Sequence, residues 1–75
     1  MNQRTMREIT EVIGDIISRH LGERKIYRKD VSMALSIPIA TLNTQIARNT
    51  IPYADILGWC ARTGLDPMKI FYERS

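Results

Sequence analysis

Residues 28–48 read Arg28-Lys29-Asp30-Val31-Ser32-Met33-Ala34-Leu35-Ser36-Ile37-Pro38-Ile39-Ala40-Thr41-Leu42-Asn43-Thr44-Gln45-Ile46-Ala47-Arg48. Two helical patterns lie here with a proline between them. Val31, Ala34 and Leu35 form a short apolar stripe at helical spacing, and Ile26 and Tyr27 are placed to anchor its start. Pro38 disfavours a helical conformation at Ile37, so the first of the two helices, from Arg28, stops at about Leu35. Proline is well tolerated as a first helical residue. The second helix is therefore expected from Pro38 to about Arg48, with Leu42 and Ile46 facing inward.

Upstream, Thr5-Met6-Arg7-Glu8 has the form of a capping box, in which a threonine and a glutamate satisfy each other's amides. Ile9, Val12, Ile13, Ile16, Ile17 and Leu21 then recur three and four apart, the apolar face of a long helix. Gly22 suits the left-handed residue that closes such a helix. His20 would sit in the last turn, where the helix dipole favours a cation, and is assigned no functional role. Gly22 to Lys25 reads as a polar loop. Downstream, Asn49-Thr50 is a break and Pro52 opens a fourth helix, with Ile56, Leu57 and Cys60 as its stripe and Gly64 as its stop. Asp66-Pro67 starts a last short helix over Met68 to Tyr72. The expected fold is all-α: a compact five-helix bundle, one domain over residues 1–75.

Composition narrows the function classes. A chain of 75 residues with 44% hydrophobic content supports one core and leaves no room for a deep, walled pocket. No apolar run reaches the roughly 20 residues of a membrane span. The polar face of the first helix carries both signs (Arg7, Glu8, Glu11, Asp15, Arg19), which favours burial in the bundle over a membrane surface. The first residues lead into this charged pattern and do not form a secretory signal. A single cysteine, Cys60, forms no internal disulfide, which fits a reducing cytoplasm. No His, Cys and carboxylate share metal-ligand spacing, and there is no glycine-rich phosphate loop or nucleophile elbow. An enzyme, a metal and a cofactor are thus not expected. The net charge of +3 permits nucleic acid as a partner without requiring it.

Two helices of roughly seven and eleven residues across a tight turn have the geometry of a helix-turn-helix, whose second helix enters the DNA major groove. Arg24, Lys25, Arg28 and Lys29 cluster at the start of the first of these helices. Lys25, Arg28, Lys29 and, further on, Arg48 are the expected phosphate contacts. Asn43 can pair with adenine through two hydrogen bonds, Thr44 can donate or accept, and Ile39 and Ala40 can pack on thymine methyls, with Thr41 at the margin. The same residues admit a second reading. The helix holds no cation before Arg48, and an exposed Ile39-Ala40 pair fits another regulatory protein as well as a base edge.

From Val31 to about Phe71 the sequence resembles the N-terminal DNA-binding domain of the phage CI-type (lambda-repressor-like) repressors. The likeness rests on Val31, Leu35 and Ile37 around the turn, Thr41-Leu42, Arg48, Ile51-Pro52-Tyr53, Cys60 and Thr63-Gly64. It departs at Ser32 and at Ser36, where the family favours a small residue and a glycine. It departs also at Pro38, Gln45-Ile46 and Lys69. The resemblance implies a transcriptional repressor whose helix at 38–48 reads operator DNA, with Tyr53 laying its ring over that helix. Full-length members carry a C-terminal oligomerisation domain. Here either the chain is a fragment or it forms a homodimer through its own helices, with Met68, Phe71 and Tyr72 as the first candidate contacts and Trp59 as the next, a core place being the favoured reading of a tryptophan in so small a domain.

Overall fold

In the computed structural model, which describes residues 2–73, Thr5 and Glu8 exchange both bonds of the capping box at the start of α1 (Met6–Arg24). The Glu8 amide donates to Thr5 Oγ1 at 3.2 Å and the Thr5 amide donates to Glu8 Oε1 at 3.0 Å. The Thr5 amide, and after it the hydroxyl, holds the Glu8 carboxyl below the usual carboxylate range. Ile9, Ile13, Ile17 and Leu21 are buried along one face, as the spacing requires.

The helix does not close at Gly22. It runs on to Arg24, and Lys25 takes the left-handed cap at φ 55°. His20 consequently lies a full turn inside the helix and is not an end cap. It is buried, and its Nε2 donates to the Thr63 carbonyl oxygen at 2.7 Å, joining α1 to the end of α4 (Ile56–Thr63). A carbonyl only accepts, so that ring nitrogen carries the proton.

Across the turn, α2 (Arg28–Leu35) ends at Ser36, and α3 (Ile39–Arg48) begins after Pro38, which stands just outside the helix as its cap. Ser32 is buried and its hydroxyl donates to the Ile37 carbonyl oxygen at 2.6 Å, fixing the turn from within. Ala34, expected inward, is exposed: Val31, Ser32 and Leu35 fill the inner face of α2. Ser36 is left-handed at φ 57°, a conformation that penalises a Cβ. Ser36→Gly should therefore stabilise the fold by about 0.5–1 kcal/mol, raising Tm by roughly 4 °C. A thermal melt at or below wild type would show that the serine is not strained there.

Pro52 opens a 3₁₀ turn, Tyr53–Asp55, and only then does α4 begin. Ile56, Trp59, Cys60 and Thr63 point inward, while Leu57, expected in the stripe, is 61% exposed. Gly64 ends α4 at φ 72° as expected. Asp66 Oδ1 accepts the Met68 amide at 3.0 Å to start α5 (Met68–Phe71). Tyr72, expected in that helix, is extended instead. It belongs to β2 (Tyr72–Glu73), antiparallel to β1 (Asn2–Gln3), with Gln3 opposite Tyr72. Arg4 completes the join: its amide donates to the Phe71 carbonyl at 2.7 Å and its Nη1 to the Lys69 and Ile70 carbonyls at 3.1 Å each. These carbonyls are the orphan acceptors at the end of α5.

The described residues thus make five α-helices and a two-residue ribbon around a core centred on Ile13, Ile17, Leu42, Ile56, Trp59 and Ile70. None of the helices is long and apolar enough to cross a membrane. The Tyr53 ring meets Phe71 edge-on, with centroids 6.1 Å apart. What seats α3 is Gly14, buried where α1 crosses it. The Gly14 amide donates to Asn49 Oδ1 at 2.7 Å, and a Cβ at residue 14 would collide with the Ile46 carbonyl oxygen. Asn49, left-handed at φ 55°, is the cap of α3. One contact therefore fixes both the crossing and the end of the helix.

Candidate nucleic-acid interface

With Leu42 and Ile46 buried, α3 turns Ile39, Ala40, Thr41, Asn43, Thr44, Ala47 and Arg48 to the surface. All five residues expected to read bases are exposed on this helix, Ile39 at 43%. Their polar groups are already oriented. The Thr44 hydroxyl donates to the Ala40 carbonyl at 2.9 Å, so it offers lone pairs outward and acts as an acceptor. Asn43 Oδ1 accepts from Arg28 Nη1 at 3.0 Å.

That contact changes the role expected of Arg28. Its guanidinium forks between Asn43 and Ser18, with Nη2 donating to Ser18 Oγ at 3.2 Å, and the residue is half-buried. Arg28 keeps its charge and three further N–H groups, but two of its donors are held inside the fold, unlike those of Lys25 and Lys29. Those two are exposed around the start of α2, and Arg48 is exposed in the last turn of α3. From Val31 to Ala54 the chain contains no carboxylate, so α3 itself carries none, while Asp30 is exposed beside Lys29 in the first turn of α2. Tyr27, expected to anchor the start of α2, is instead 75% exposed.

The candidate dimer contacts are scattered. Trp59 is 1% exposed and sits in the core of the single chain, so it reaches no partner. Met68 is 46% exposed. Phe71 is half-covered beneath Tyr53, and Tyr72 is held in the terminal ribbon. Tyr53 and Leu57, four residues apart, are the larger apolar exposure on that side.

The other features hold less chemistry. A cleft of about 430 Å³ between α1 and α5 mixes Arg4, Arg19 and Lys69 with Glu23 and Asp66, which gives it no dominant charge. Burial first, and Asp66 second, pushes the Cys60 thiol up, which keeps it protonated and unreactive. No group of three metal-ligating side chains occurs among the described residues. Comparison with family models, curated proteins and solved structures gave no match.

Proposed function

We propose that this protein is a cytoplasmic helix-turn-helix transcriptional regulator of the phage repressor type, which places α3 in the major groove of double-stranded DNA as a homodimer. The carrying observation is the exposed, carboxylate-free face of α3, with Lys25, Lys29 and Arg48 around it. Ile39 and Ala40 pack on thymine methyls, Asn43 pairs with adenine, and Thr44 accepts from an exocyclic amine. The cations hold the phosphates and fix the helix in register. A dimer doubles these contacts and matches a two-fold operator.

The test is a titration of the folded chain into a fluorescent random-sequence duplex, read by anisotropy across salt concentrations. Binding should weaken steeply with salt, and Lys29→Gln with Arg48→Gln should weaken all sequences alike while flattening the salt slope by about two. An unchanged slope would remove both residues from the interface. A folded chain that binds no duplex even at low salt would sink the reading. The exposed Tyr53 and Leu57, with the exposed Ile39-Ala40 end of α3, favour the second reading, a module that binds another regulatory protein. That reading would then stand.

A further inference from the structure

Arg28 is the one cation of the region that the fold occupies internally, and it occupies it at a base-reading side chain. A guanidinium has only donors, so the group of Asn43 that faces it must be the carbonyl oxygen. The opposite amide orientation would set donors against donors. The fork onto Ser18 keeps the guanidinium from following Asn43 if that side chain rotates, because Ser18 belongs to α1. The Asn43 amide is thereby held in one sense: Nδ2–H₂ and the second lone pair of Oδ1 remain for an outside partner. That acceptor–donor pair is complementary to the N6 amine and N7 of adenine, and its mirror order is not.

We propose that Arg28 is a specificity-determining positioning residue: it locks the Asn43 amide in the sense that reads adenine, and it acts through Asn43 and Ser18 without gripping a phosphate. The inference rests on the DNA-binding reading above and gives a different result from it when it fails. It also separates Arg28 from Lys29, its neighbour in sequence, whose contribution carries no base preference.

The measurement uses a duplex selected from a random library by the wild-type chain, and the same duplex altered at each base pair in turn. The wild type should discriminate at the pair beneath Asn43 by roughly tenfold or more. Arg28→Met should reduce discrimination at that pair to within about twofold, leave the other positions unchanged and keep the salt slope. Adding Asn43→Ala to Arg28→Met should produce no further loss at that pair. Ser18→Ala retains every charge and Asn43 itself, so a partial loss at the same pair from this variant is a signature that phosphate binding does not give. The side-chain amide resonances of Asn43, recorded without DNA, should shift in both Arg28→Met and Ser18→Ala. Uniform weakening by Arg28→Met with a salt slope smaller by about one would make Arg28 a phosphate contact and overturn the inference while leaving the DNA reading intact. Absence of any duplex binding by the folded wild type would remove both.

Discussion

Gly14→Ala is expected to lower Tm by about 15 °C or more, a larger effect than alanine would have at Gly22, Gly58 or Gly64. The new Cβ would fall on the Ile46 carbonyl oxygen and 2.6 Å from Asn49 Oδ1. One of these is backbone inside α3, and the other belongs to the residue that caps it. The Asn49 amide could turn away only by giving up the Gly14 amide, and the Ile46 carbonyl cannot swing aside at all, so the two helices must separate. Overpacking of this kind costs on the order of 3 kcal/mol, and separation also weakens the bond from the Gly14 amide to Asn49. Gly22 and Gly58 are also helical, and a Cβ on either meets nothing. Alanine at those two positions should stabilise by about 0.5–1 kcal/mol, since glycine is a poor helix former. Circular dichroism melts of the three variants check the pattern. A Gly14→Ala protein melting with the wild type would mean that α1 and α3 do not cross as closely as described.

Ala40→Glu is expected to reduce duplex affinity by about 100-fold or more while leaving the fold at least as stable. Residue 40 is exposed in the first turn of α3, and no side chain caps that end of the helix. A carboxylate there interacts favourably with the unpaired amides and the helix dipole, by about 0.3–1 kcal/mol. In the major groove the same carboxylate would lie between two rows of phosphates, where like-charge juxtaposition costs several kcal/mol. The two effects have opposite signs, so a melt and an anisotropy titration on one preparation separate them. Undiminished affinity would place the DNA-facing surface elsewhere than α3.

What the sequence disclosed and what it withheld follow from how far each interaction reaches along the chain. The Thr5–Glu8 capping box, the break at Ser36-Ile37-Pro38, the Gly64 stop and the Asp66 start are local, and each could be read from three or four consecutive residues. The exposed side of α3 was legible for the same reason, since Leu42 and Ile46 set the helical phase. Leu57 was misplaced because the inward arc of α4 is made by Ile56, Trp59, Cys60 and Thr63, and Leu57 lies about 100° round the helix from Ile56, outside that arc. Gly14 was passed over because a glycine adds to neither the polar nor the apolar face; its importance comes from Ile46 and Asn49, more than thirty residues away. Arg28 read as one of four neighbouring cations, and only the packing of α1, α2 and α3 brings Ser18 and Asn43 within its reach.

The terminal ribbon has a kinetic meaning as well. Arg4 and Lys69 are sixty-five residues apart in the chain, so their contact closes almost the longest loop the sequence allows. Loop-closure entropy must be overcome before such a contact returns any energy, whereas the α2–turn–α3 unit assembles from neighbours. The ribbon should therefore form after the folding barrier and open before the core does. Hydrogen exchange at the Arg4 amide would then proceed through a local opening, while the amides around Leu42 and Ile46 wait for global unfolding. Mutations at Arg4 should accelerate unfolding and leave the folding rate nearly unchanged.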